Sequence, residues 1–211
     1  MSIPILGYVY FASSLIPVSL GIVRYRSIAK PMRVLTLLCA LSVMTATTEL
    51  ILGRYGINNQ FLANAYVPVE VLLITLVYCF SISVTKYRRI LVGSALVFMS
   101  VWIVDWIFFD IPDEMNSEMA LVSRLFLFTM SLLVISIASK DSTSRLSDKS
   151  LFWVATGVVV YSTGTFIVAG LGNRLLQLNA SLFVIAWHIN WLLLIAANLL
   201  YTRGLLCKTQ A

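Results

Sequence analysis

The chain has 211 residues, of which 60% are hydrophobic and only 11% are charged. A soluble domain carries about a quarter charged residues, so this composition excludes an ordinary soluble domain and predicts a membrane protein. The formal net charge is +6, but the basic residues lie in short clusters between apolar runs. That distribution is typical of membrane topology and does not indicate nucleic-acid binding.

Seven apolar runs are each long enough to cross the hydrocarbon core of a bilayer as a helix, which takes about 20 residues. We expect spans at 3–23, 34–52, 61–84, 90–109, 119–138, 151–170 and 180–202. The connections are short, so consecutive helices should be antiparallel neighbours. The sequence therefore predicts an all-α, seven-helix transmembrane bundle that occupies residues 1–211 as a single domain.

Basic residues are concentrated in alternate connections. The segments after spans one, three, five and seven hold Arg24, Arg26, Lys30, Arg33, Lys86, Arg88, Arg89, Lys140, Arg145, Lys149, Arg203 and Lys208. The opposite connections hold only Arg54 and Arg174. Because basic loops stay in the cytoplasm, we expect the N-terminus outside and the C-terminus inside a cytoplasmic (inner) membrane. The N-terminus lacks signal-peptide features, so the first run should be a retained span.

Ionisable residues inside a bilayer are costly and often functional. Five fall within the predicted spans, all in the outer halves: Glu49, Glu70, Asp105, Arg124 and His188. This distribution predicts a polar cavity in the outer half of the bundle and a closed apolar inner half. Asp105 and Arg124 flank one short external loop at similar depth, so we expect a structural ion pair between them. The other three are candidates for binding.

Glu70 and His188 lie deepest, at about 12–14 Å from the outer ends of their spans. Glu70 should point into the bundle toward span seven or span two. Residues that share these helix faces or lie beside them complete the expected site. The candidate ligand-binding residues are therefore Glu49, Tyr66, Glu70, Trp187, His188, Asn190 and Trp191.

Within this set, Glu70 and His188 would contact a ligand or a proton. Tyr66 and Asn190 would supply hydrogen bonds, and Trp187 and Trp191 would form apolar walls. Structural alternatives exist for several of them. A neutral His188 would bond to a neighbouring helix, the tryptophans would contact lipid, and Glu49 would reach water.

Several classes of membrane protein are excluded. No lysine lies inside a span to form a retinal Schiff base, and His188 is the only histidine, whereas a zinc hydrolase needs about three ligands. No serine in a Gly-x-Ser setting accompanies His188 at membrane depth to form a rhomboid-like dyad. Neither a Pro-Gln pair nor an internal repeat of the PQ-loop sugar transporters is present. Cys39, Cys79 and Cys207 show no CxxC spacing, so we expect no metal and no cofactor.

Three stretches have a recognisable pattern: Asn58-Asn59 with Tyr66-Val67-Pro68-Val69-Glu70, Leu151-Phe152-Trp153 with Thr156-Gly157 and Tyr161-Ser162-Thr163-Gly164, and Trp187-His188-Ile189-Asn190 with Asn198, Gly204 and Cys207. Together they resemble an uncharacterised family of small bacterial integral membrane proteins. The resemblance implies seven helices and no established activity. Separately, Pro68-Val69-Glu70 is similar to the Pro-x-Glu pattern of membrane-bound lycopene cyclases, which pair two such helices around an isoprenoid. This sequence has one copy.

Three functions are compatible with these features. We favour a receptor-like or sensor-type module in the lipid bilayer that binds a small ligand, a lipid or a proton. It would signal through its basic inner loops to a separate cytoplasmic or membrane partner. The alternative is an intramembrane enzyme acting on a lipid or isoprenoid, with Glu70 as general acid and His188 as base or orienter. The third is a small-solute transporter, which the lack of ionisable residues in the inner halves disfavours.

Overall fold

The computed structural model describes residues 5–108, 117–140, 145–178 and 180–207. The helices are α1 (Ile5–Val23), α2 (Lys30–Arg54), α3 (Gln60–Ser81), α4 (Thr85–Phe108), α5 (Ser117–Lys140), α6 (Ser150–Leu178) and α7 (Ala180–Leu206). A short 3₁₀ helix, Leu146–Asp148, precedes α6. No strand occurs in the described ranges.

All seven helices are long and apolar enough to cross a membrane. This confirms the all-α, seven-span prediction and makes the chain a multi-pass membrane protein. Most helices are longer than the predicted spans: α2 runs from Lys30 to Arg54, and α6 continues to Leu178. The hydropathy of the sequence marks only the part that enters hydrocarbon, whereas backbone hydrogen bonding continues into the polar ends.

Six helices form a closed ring. In the order α1, α2, α3, α5, α6, α7, each packs on the next, and α7 returns to α1. Helix α4 lies outside this ring against α3 and α5. The direct contact between α3 and α5 is the feature that positions the site, because it brings together two helices that are not consecutive in the chain.

Glycines allow the closest helix contacts. A Cβ atom on Gly157 would lie 2.5 Å from the Tyr201 ring, and one on Gly164 would lie 2.9 Å from the Leu193 side chain. Both neighbours are on α7, so α6 and α7 approach each other more closely than larger residues would permit.

The two ends of the bundle differ in charge. We call the basic end the one that holds the α1–α2, α3–α4 and α5–α6 connections and the end of α7, and we call the other the opposite end. The basic end carries the clustered arginines and lysines. Many of the most buried apolar side chains also lie in the half of the bundle near it, among them Leu35, Ile74, Leu127, Val158 and Leu205.

Candidate functional site at the centre of the bundle

A buried ion pair lies at mid-depth inside the ring. The Arg124 Nη1 atom donates a hydrogen bond to the Glu70 Oε2 atom at 2.6 Å. The side chain of Arg124 is only 9% exposed, and that of Glu70 only 6%. Glu70 is at the middle of the 22-residue helix α3, about 15 Å from either end. A charge-assisted bond of this kind is among the stronger side-chain interactions in proteins.

Two tyrosines flank the ion pair. The Arg124 guanidinium carbon lies 4.7 Å from the centre of the Tyr161 ring, which is within the range of a cation–π interaction. The Tyr161 hydroxyl also interacts with the Glu70 carboxylate. Tyr66, one turn before Glu70, lies beside that carboxylate and beside Ser42 of α2. The site therefore joins α2, α3, α5 and α6.

Tyr161 was not among the candidate site residues identified from the sequence. The available signal was an arginine inside a span, because a desolvated guanidinium commonly stacks on an aromatic ring. The sequence alone did not indicate which of nine tyrosines would provide that ring. The packing of α5 against α6 places Tyr161, and not another tyrosine, beside Arg124.

A small cavity of about 40 Å³ adjoins the carboxylate. Its polar lining includes Tyr10, Ser42, Tyr66, Glu70, Tyr161, Asn198 and Tyr201. The cavity reaches from mid-depth to Tyr201, which is about 8 Å from the basic end of α7. It therefore extends into the half that we expected to be closed and apolar. That expectation counted ionisable residues only, whereas neutral tyrosine and asparagine side chains supply much of this lining.

The partner predicted for Arg124 was wrong. Its guanidinium bonds to Glu70, which is 54 residues away in the chain, and not to Asp105. Asp105 is half-buried on α4, which packs outside the ring. The prediction relied on consecutive helices being neighbours, and α5 does contact α4, but its arginine faces α3. The partner of Glu70 is likewise on span five and not on span two or seven, although α2 and α7 both line its cavity.

His188 does not join Glu70. Its Nδ1 atom lies 2.7 Å from the Val184 carbonyl oxygen of its own helix. Its ring packs edge-on against Trp191, with centroids 5.5 Å apart. On α7, His188 is about 9–10 Å nearer the opposite end than Leu194, which lines the cavity. The two residues of the predicted acid–base pair therefore occupy different environments.

The other candidate residues on α7 lie between the cavity and the opposite end of the bundle. Trp187 and Trp191 form an aromatic column with ring centroids 6.0 Å apart. Asn190 is buried, and its Oδ1 atom has no hydrogen-bond partner among the described residues. By helical spacing, Trp187 and Asn190 share the face of Leu194, one to two turns closer to the opposite end. Neither residue lines the cavity.

Glu49 lies near the opposite end of α2 and is partly buried. It shares a helix face with Ser42, two turns away. The Tyr10 hydroxyl of α1 lies in the electrostatic field of both Glu49 and Glu70, and Tyr10 also lines the cavity. Glu49 and Tyr10 therefore provide polar groups between the opposite end and the ion pair.

Comparison with known proteins adds no further assignment: no family model matches the chain, and neither a curated protein nor a solved structure is significantly similar to it. Among the described residues, no group of three His, Cys, Asp or Glu side chains could hold a metal ion. The polar groups at the centre are a carboxylate, a guanidinium and hydroxyl groups.

Proposed function

We propose that this protein is a receptor-like or sensor-type module of a bacterial inner membrane, with its N-terminus outside and its basic end in the cytoplasm. The Glu70–Arg124 pair would be the responding element. It would signal to a separate partner through the basic connections. The orientation is supported by the distribution of arginine and lysine, and the responding element by the burial of an ion pair between non-consecutive helices.

The ion pair couples a local chemical event to helix packing. Protonation of Glu70, or its capture by another cation, would leave the Arg124 guanidinium without a counter-charge at mid-depth. An unpaired buried charge costs several kcal/mol, so the bundle would move to an arrangement that solvates or re-pairs Arg124. Glu70, Arg124 and Tyr161 are on three different helices, and such a change would therefore shift α3, α5 and α6 relative to one another.

The size of the cavity limits what the site accepts. One water molecule needs about 10–15 Å³ of such space, so about 40 Å³ accommodates a few water molecules or a small ion. An isoprenoid or a lipid tail is far larger. The geometry thus favours a proton or a small cation as the signal over the enzymatic alternative, which also requires His188 beside Glu70.

A proton that reaches Glu70 from the opposite end would pass groups contributed by several helices. The titratable and charged side chains that line the cavity or contact the carboxylate are Tyr10, Cys39, Tyr66, Arg124, Tyr161 and Tyr201. Arg124 bonds directly to the Glu70 carboxylate. A proton or cation that binds this carboxylate must therefore displace the Arg124 guanidinium.

This function is tested by the pH response of the packing. The rates at which the backbone amides of α5 and α6 exchange hydrogen are measured in nanodiscs and corrected for the intrinsic effect of pH. These corrected rates should rise cooperatively on acidification. The double variant Glu70→Gln/Arg124→Gln removes both charges at similar volume and should abolish the transition. Glu118→Gln, which removes an exposed carboxylate at the start of α5, should retain it. A transition that persists in the double variant, or none in the wild type, contradicts the proposal.

A further inference from the structure

A second cavity, of about 560 Å³, lies at the basic end and is separate from the Glu70 site. Its wall is formed by the α1–α2, α3–α4 and α5–α6 connections and the helix ends beside them. Met32, Ile82, Ile137 and Leu151 give it an apolar surface, and Lys140 and Lys149 give it positive charge. A volume of this size is typical of pockets for small organic molecules.

The electrostatics of the cavity favour an anion. The first turns of α2 and α6 and the start of α4 border it, and so do the ends of α3 and α5. The N-terminus of a helix carries a partial positive charge and the C-terminus a partial negative charge, so three positive helix ends face two negative ones. Ala29, at the start of α2, provides no side-chain cap for that helix. Lys149 donates a hydrogen bond to the Ala138 carbonyl oxygen, which offsets the negative end of α5. Among the described residues of the lining, the acidic side chain is Asp148, against two lysines.

The position of the cavity indicates the chemical class of its occupant. It lies where the apolar helices end, which is the level of the lipid headgroups in a bilayer. Lysine side chains in this region extend their charge toward the headgroups while their methylene groups stay on apolar surface. A soluble phosphate ester would use the charges and leave the apolar surface bare, whereas a phospholipid uses both.

From the cavity volume, its two lysines and its apolar wall, we propose that the basic-end cavity binds the phosphate headgroup and adjoining glycerol region of an anionic phospholipid. The bound lipid would hold the three basic connections together. This site is independent of the Glu70–Arg124 pair, and either proposal stands if the other fails.

The proposal is tested by native mass spectrometry of the purified full chain after exchange into equal amounts of phosphatidylglycerol and phosphatidylcholine. Wild type should retain phosphatidylglycerol preferentially. Lys140→Gln should reduce that retention by about fivefold, the usual contribution of one basic residue. Arg89→Gln is the matched control, because it removes one charge at the same end. Arg89 is two residues from the lining residue Tyr87 and thus on nearly the opposite face of α4.

A second variant tests the cavity without changing charge. Ser83→Trp places a large side chain at an exposed lining position outside the helices and should reduce retention of phosphatidylglycerol with the melting temperature unchanged. Equal losses in Lys140→Gln and Arg89→Gln would show general surface attraction and overturn the proposal. Equal retention of the two lipids would do the same. Displacement of the lipid by glycerol 3-phosphate would reassign the cavity to a soluble phosphate ester.

Discussion

Helices α3 and α4 follow one another in the chain and are both apolar enough to cross a membrane, but their burial differs. The buried residues of α4 are Leu91, Ala95 and Phe98, whereas those of α3 lie on most of its turns and include two charged or amide side chains, Glu70 and Asn64. The difference arises because α3 belongs to the six-helix ring and α4 packs outside it.

Hydropathy identifies the helices that cross a membrane but does not indicate which of them is buried inside the bundle. Lipid tails are as apolar as a leucine side chain, so no hydrophobic force drives one apolar helix inward and leaves another outside. The choice is made by packing, by polar contacts between helices and by paired charges. The same distinction separates the buried Glu70 on α3 from the half-exposed Asp105 on α4.

The largest expected effect on the free energy of unfolding comes from charged residues inside and outside the six-helix ring. Arg124→Ala should lower the free energy of unfolding by about 3–5 kcal/mol, because it leaves Glu70 buried and unpaired. Asp105→Ala on α4 should cost under about 1 kcal/mol, because that carboxylate is half-exposed. The double variant Glu70→Ala/Arg124→Ala should recover part of the loss. Unfolding in a mixed-detergent titration measures all three, and additive losses at Glu70 and Arg124 would contradict the pairing.

An intermediate effect is expected from glycines inside and outside the ring. A Cβ atom at Gly157 of α6 would lie 2.5 Å from the buried Tyr201 ring, whereas one at Gly93 of α4 would meet nothing within 4 Å. Gly157→Val should therefore destabilise by about 1–3 kcal/mol through overpacking. Gly93→Val should change stability by less than about 0.5 kcal/mol. Thermal melting in detergent compares them, and equal shifts would refute the peripheral position of α4.

The smallest expected effect concerns one hydroxyl. The Ser131 hydroxyl donates its proton to the Leu127 carbonyl oxygen. The Tyr78 hydroxyl, 2.6 Å from Ser131 Oγ, must therefore be the donor of the hydrogen bond between them, which joins α3 to α5. Tyr78→Phe should cost about 1 kcal/mol. Ser100→Ala on α4 removes a hydroxyl that bonds only to its own helix, at Leu96, and should cost less. Melting temperatures of the two variants test which loss is larger. A larger loss from Ser100→Ala would contradict the placement of α3 inside the ring and α4 outside it.

Parts of the site followed from the sequence. Glu70 was expected to be deep, inward-facing and partnered, since a short carboxylate side chain cannot reach the interface from the middle of a span. Tyr66 was expected beside it from helical spacing, and both residues line the same cavity. The partner was not predictable, because Arg124 and Asp105 flank one short loop and only the arrangement of helices shows that Arg124 faces α3.

The sequence by itself determined seven helices and their approximate limits, because insertion into hydrocarbon depends on the length and composition of each segment taken alone. It also located the charges whose cost demands a partner. Only the tertiary structure decided which partner each charge has, which helix lies outside the ring and where the cavities are. These depend on contacts such as Arg124 with Glu70 and Gly157 with Tyr201, between segments whose separation in the chain carries no signal of their proximity.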